Sequence, residues 1–176
     1  IEAAFKKLPA EIYPDPSTQL IIDSMKERRD NLVEIAERYY GVLSRLAIVT
    51  GTDKDDFIEI NRVGKDLTEV AIYRNKGGEK ADVVFQRTFN RENTKEIWIY
   101  ALDDDDIINA TGDANNPIKV RVIGGQNNDI YDIKSGRKIT VHDQKAKENT
   151  FIEMEDAVKR LSNRYEENTY DPKKAI

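Results

Sequence analysis

A spacing of 23 residues constrains this chain more than any other feature. Ile97 and Ile99, followed by Asp106 and Ile108, line up with Val120 and Val122, followed by Asp129 and Tyr131, and every pair is offset by 23 residues. A weaker third copy begins at Ile139 and Val141 and reaches Glu148 and Thr150, offset by 19. Turn-forming stretches, Gly112 to Pro117 and Lys134-Ser135-Gly136, separate the copies. A strand, a polar corner, a second short strand and a return form the pattern of a small β-solenoid, in which no repeat buries its apolar residues alone and stacking supplies the core. Three imperfect copies also fit an ordinary meander.

The residues before the repeat change period twice. Leu32, Ile35, Ala36, Tyr39, Tyr40, Leu43 and Leu46 recur at steps of three and four, which predicts one stripe of a helix. Asn31 with Glu34 has the form of a capping box, and Gly51 is a stop signal. An earlier helix follows Pro14 and Pro16, so residues 1–50 read as a helical hairpin hinged near Arg29-Asp30. After Gly51 the period becomes two, over Phe57 to Val63, Leu67 to Arg74 and Ala81 to Phe89, with glycine-bearing breaks between. The predicted fold is α+β: the hairpin packs on an antiparallel meander that continues into a solenoid-like stack. Residues 1–50 and 51–153 are expected to co-fold as one domain. Residues 154–176 are expected as a short helix or an irregular exit linker; Met154, Val158 and Leu161 carry the helical spacing within Phe151 to Tyr165.

The polar corner of the second copy, Gly124-Gly125-Gln126-Asn127-Asn128-Asp129-Ile130-Tyr131-Asp132, can be laid on the calcium-binding nonapeptide G-G-x-G-x-D-x-U-x. Asn127 replaces the third glycine, and asparagine tolerates a left-handed backbone best among the other residues. The preceding corner, Ala101 to Ile108, keeps the aspartate and lacks the glycines, and its Asp103 to Asp106 run repels itself unless a cation lies among the carboxylates. The candidate calcium ligands are therefore Asp104, Asp106, Asn127 and Asp129. The competing expectation is a solvated corner whose side chains cap exposed backbone groups. No other cofactor is expected.

A net charge of −5 argues against nucleic acid as a partner, since phosphate binding needs a basic face. The chain has no cysteine, and its single histidine, His142, excludes a histidine-rich zinc site. On a strand, His142 and Asp143 point to opposite faces and cannot form a dyad. No G-x-S-x-G, P-loop or G-x-G-x-x-G occurs. The chain is expected to be non-catalytic, and its start at Ile1 without methionine reads as a piece of a longer protein.

Several short stretches occur in an order that resembles a known segment: Arg29-Asp30-Asn31-Leu32 with Tyr39-Tyr40, Gly51-Thr52-Asp53-Lys54-Asp55-Asp56, Arg87-Thr88-Phe89, Thr94-Lys95-Glu96-Ile97 with Tyr100, Ile123-Gly124-Gly125, Val141-His142-Asp143, and the exit Tyr165 to Asp171. They are similar to the interdomain region of Bacteroidetes-type outer-membrane metallophosphoesterases, in which a calcineurin-like phosphoesterase domain precedes this region and a surface-antigen-type β-barrel follows it. The resemblance implies a non-catalytic connector on the periplasmic or cell-surface side of the outer membrane. Its partners would be the neighbouring domains of the parent chain, with contact to membrane only through the barrel. The D-x-H, G-D-x-x-D and G-N-H-D/E motifs that hold two metal ions in the enzyme domain are absent here, so no catalytic residue carries over. The alternative is a calcium-dependent binding module for a glycan or a surface protein.

Overall fold

A computed structural model describes residues 1–113 and 115–170. The chain divides into two units, Ile1–Leu43 and Ser44–Ile176.

The first unit contains α1 (Glu2–Phe5), α2 (Pro16–Asp30) and α3 (Leu32–Leu43). Asp15 starts α2: its carboxylate accepts the Ser17 N–H at 2.8 Å, and Pro16 at the first helical position gives up no donor the helix needs. Asn31 ends α2 in a right-handed conformation, at the hinge expected from the sequence. Thr18 and Ile22 of α2 are buried, whereas no residue of α3 is. The helical unit stops at Leu43 and not at residue 50, because Leu46–Thr50 is a strand, β1. Val49 explains the difference: it is buried in the β core, and its neighbours alternate with it.

The second unit is built from two sheets. β1, β5 (Glu96–Tyr100), β7 (Lys119–Ile123), β9 (Ile139–Gln144) and β11 (Val158–Ser162) form a five-stranded, wholly parallel sheet in that order. The second sheet has the order β10 (Thr150–Met154), β8 (Ile130–Ile133), β6 (Ile107–Gly112), β2 (Asp56–Val63), β3 (Leu67–Lys76), β4 (Glu79–Asn90). Its first four strands are parallel, and β2, β3 and β4 are antiparallel. The architecture is α+β with one parallel and one mixed sheet. From β5 onward each pass of the chain lays one strand in the first sheet and the next in the second. The antiparallel β3–β4 hairpin is an excursion within the first pass.

The register follows the sequence spacing closely. Ile97 pairs with Val120, Ile99 with Val122, and Ile108 with Tyr131. In the third copy Val122 pairs with Val141, but Tyr131 pairs with Phe151 and not with Thr150. One extra residue in the 145–149 loop moves that corner, so Asn149 and not Glu148 stands against Asp129.

The core lies between the two sheets. Val49, Ile97, Ile99, Val120, Val122, Ile139 and Val141 face Ile58, Ile60, Val70, Ile72, Ile108, Ala110, Tyr131 and Ile133 in one apolar cluster. Each sheet thus closes the inner face of the other. Phe151 to Tyr165 is not helical: it holds β10 and β11, so residues 154–176 do not begin as a helix or linker. Their three- and four-residue apolar spacing is overridden because the edges of β8 and β9 offer a ladder of unpaired N–H and C=O groups. Among the described residues the only helical turn there is α4 (Tyr165–Asn168), and the expected exit linker from residue 171 on lies outside the described residues. No described helix is long and apolar enough to cross a membrane.

Candidate functional site

Two regions gather chemistry-bearing side chains, a buried acidic column at one corner and a groove on the outer face of the five-stranded sheet.

The corner stands at the start of each of the four parallel strands of the mixed sheet, β2, β6, β8 and β10. On successive passes it carries Asp55-Asp56, Asp105-Asp106, Asn128-Asp129 and Glu148-Asn149. The two positions build two ladders of opposite direction. In the outer ladder each side chain accepts a backbone N–H from the next pass: Asp55 from Asp105 at 3.3 Å, Asp105 from Asn128 at 3.1 Å, and Asn128 from Glu148 at 3.0 Å. In the inner ladder each side chain accepts from the pass before: Asp106 from the Asp56 N–H at 2.8 Å, Asp129 from the Asp106 N–H at 3.0 Å, and Asn149 from the Asp129 N–H at 2.8 Å. A carboxylate or amide oxygen is the shortest group that reaches a neighbouring backbone donor from this corner, which is why the positions are almost all Asp or Asn.

The inner ladder is sealed from water. Asp56, Asp106 and Asp143 are 0% exposed and Asp129 is 1%. The expected solvated corner describes the outer ladder, where exposed Asp105 and Asn128 cap backbone N–H groups, but not the inner one, where Asp129 lies inside beneath the glycine pair. Burial pushes the Asp106 carboxyl up to about 10, and the Asp129 charge adds to it. Burial and the Asp143 charge push Asp129 up to about 8. Burial raises Asp143 to about 6, against the stabilising Tyr131 hydroxyl, which donates to Asp143 Oδ2 at 2.8 Å. Asp106 Oδ2 has no hydrogen-bond partner. Asp106 and Asp129 are thus held protonated at neutral pH, while Asp143 is largely ionised.

Of the four calcium candidates, Asp106 and Asp129 come together in the inner ladder. Asp104 does not join them; it adopts φ 65° and faces Lys54 at 3.6 Å. Asn127 is half-buried and is not in the left-handed conformation its place in the nonapeptide suggested; Leu102 and Asp104 of the preceding pass are. Among the described residues no three acidic or histidine side chains are grouped as a metal ion would require. Sequence reasoning missed Asp56, Asp143 and Tyr131. The repeating Asx dipeptide before each strand was the available signal for Asp56.

The second region is a groove of about 710 Å³ between β5, β7, β9 and β11 and the α4 turn. Alternation that sends Ile97, Ile99, Val122 and Val141 inward sends Trp98, Arg121 and His142 outward. His142 and Asp143 do point to opposite faces, the one into the groove and the other into the core. The Arg121 guanidinium lies 4.6 Å from the Trp98 ring centroid. Glu96 Oε1 holds both, accepting Trp98 Nε1–H at 2.7 Å and lying 3.5 Å from Arg121, with Lys119 at 3.2 Å. Arg160 of β11 pairs in register with His142. Burial lowers the His142 pKa, and Arg121 and Arg160 lower it further. Asn168, 1% exposed, pins α4 by donating to the Ser162 carbonyl at 2.7 Å and the Arg164 carbonyl at 3.2 Å. Nothing in the sequence pattern alone joined Trp98, Arg121 and Arg160, because their meeting depends on the parallel register. Comparison of the chain with protein-family models, curated proteins and solved structures finds no match.

Proposed function

We propose that this chain is a non-catalytic structural module whose second unit is a short, two-faced, solenoid-like stack. In this reading it holds an enzyme domain at a fixed distance and angle from a membrane barrel, on the periplasmic or cell-surface side of an outer membrane. The observation that carries the proposal is the pair of opposed ladders at the corner. They tie every pass to the next in both directions, on top of the strand hydrogen bonds, and such crosslinking suits a spacer that must not bend. A soluble domain tethered near a barrel by a flexible linker would sample a wide volume, whereas a packed spacer fixes its geometry. The partners in this reading are the neighbouring domains of the parent chain.

Two measurements test it together. Spin labels at the exposed positions Leu46 on β1 and Leu161 on β11 sit on opposite edges of a five-stranded sheet and five positions apart in register, roughly 25 Å at the usual strand spacing and rise. A single narrow distance distribution is expected, and a broad one contradicts a stiff spacer. The chain is also expected to hydrolyse no phosphomonoester with or without added divalent metal; turnover abolished by one substitution in the chain would overturn the non-catalytic assignment.

A calcium-dependent binding module is the second reading, favoured by one observation, the buried oxygen Asp106 Oδ2 that no donor satisfies. Calcium would have to displace the protons of Asp106 and Asp129 to bind there. A melting temperature raised by calcium and restored by chelator supports this reading, and indifference to both removes it.

A further inference from the structure

We propose that the groove over the five-stranded sheet is a binding site for a sugar bearing a carboxylate or a phosphate. At about 710 Å³ it is sized for a small organic ligand and is far too large for a simple ion. Its walls combine two kinds of group. Trp98, Tyr100, Tyr165 and Tyr170 supply aromatic surface, with Tyr100 and Tyr170 edge to face at 4.9 Å. Arg121 and Arg160 supply forks suited to a planar or tetrahedral anion.

The arginines are prepared for this differently. Arg121 is held flat by Trp98 on its face and Glu96 at its edge, and its buried Nε–H has no acceptor. An oriented guanidinium loses little freedom on meeting an anion. Arg160 is exposed on the last strand of the sheet, and among the described residues it makes no ion pair. Of the carboxylates nearby, Glu96 is committed to Trp98, Lys119 and Arg121 and Glu167 to Arg164, while Glu166 on the α4 side makes no ion pair among the described residues. His142 between the arginines feels a net positive field, since Arg121, Arg160 and Lys119 oppose its protonation and only Glu167 favours it. A neutral imidazole there both donates and accepts, as a polyhydroxylated ring requires. Ser162 and the tyrosine hydroxyls extend the same choice around the rim. A flat aromatic wall, mixed donor and acceptor groups, and two guanidinium groups lining one groove match an acidic sugar better than an extended acidic chain, which would need a longer basic track.

The chain reports on this site by itself, because Trp98 is its only tryptophan. Glucuronate, glucose 6-phosphate and glucose are titrated into the 176-residue chain while tryptophan emission is followed. A saturable change with glucuronate, glucose 6-phosphate or both is expected, and which of them acts separates carboxylate from phosphate recognition. Glucose alone is expected to bind at least about tenfold more weakly. Arg160→Ala, on an exposed position, is expected to weaken binding about tenfold or more without changing the melting temperature. Tyr165→Ala, also exposed, serves if that variant does not fold. The proposal is overturned if neither anionic sugar produces a saturable change. It is equally overturned if glucose binds as tightly as they do, if Arg160→Ala and Tyr165→Ala both bind like the parent chain, or if an oligoglutamate peptide binds more tightly than either sugar.

Discussion

At the scale of single residues, the inner ladder makes an unusual demand of aspartate. Asp106 and Asp129 are placed for what one oxygen accepts from the backbone, and the other oxygen is carried into the core as a consequence. Their carboxyls, with that of Asp143, are raised from the ordinary 3.8 to about 10, 8 and 6. Between the ordinary and the raised values the folded chain binds protons that the unfolded chain has released. Stability from this column is therefore full below about pH 4 and falls as pH rises through 6, 8 and 10. Urea denaturation between pH 5 and pH 9 is expected to show a midpoint that declines steadily with pH. Asp106→Asn keeps the oxygen that accepts the Asp56 N–H and removes the need for a proton. It is expected to raise stability at pH 8 by about 1–3 kcal/mol and to flatten the decline. Had calcium occupied the corner, the same substitution would lower stability in calcium-containing buffer, so the sign separates the two.

At the scale of the element, the corner shows what the sequence made legible and what it did not. The 23-residue offset located the strand pairs, because side chains facing a shared core must alternate and repeat. The glycine pair was visible, but its reason was not. A side chain at Gly125, whose φ is 122°, would collide with the Leu102 carbonyl, and one at Gly124 would collide with Asp129 and the Tyr131 hydroxyl. The glycines thus close the acidic column. Leu102 stands one pass earlier at the place of Gly125 and takes φ 87°, a conformation costly for a branched side chain. Gly125→Ala is expected to destabilise the chain by more than about 2 kcal/mol, while Leu102→Gly is expected to be neutral or stabilising by up to about 1 kcal/mol, both read by chemical denaturation. The segment from Phe151 to Tyr165 misled because short apolar runs satisfy two periods at once, and only the open edges of β8 and β9 decide between them. The groove lay beyond sequence reasoning for a related reason: Trp98, Arg121 and Arg160 are polar-face residues, and that face carries no periodic constraint.

At the scale of the second unit, each pass touches its neighbours on either side, so protection of the backbone should grade from the middle outward. β7 is flanked by β5 and β9, and its Val120 and Val122 are 0% exposed. β10 and β11 lie at sheet edges and are mostly exposed. Hydrogen exchange is expected to be slowest in β5 to β8 and fastest in β10 and β11, with β1 between. Uniform protection across all strands would show that the unit opens only as a whole.

The inner ladder spans 50 residues at its first step and 23 at its second, yet the two contacts have nearly the same length. The difference is the β3–β4 hairpin, which leaves the winding and returns without disturbing its pitch. The strand ladders and the short polar side chains at one bend keep the same spacing although the amount of polypeptide between bends differs. A peptide epitope or a small folded domain grafted at the Gly77-Gly78 tip would ride on this hairpin without altering the spacing beneath it.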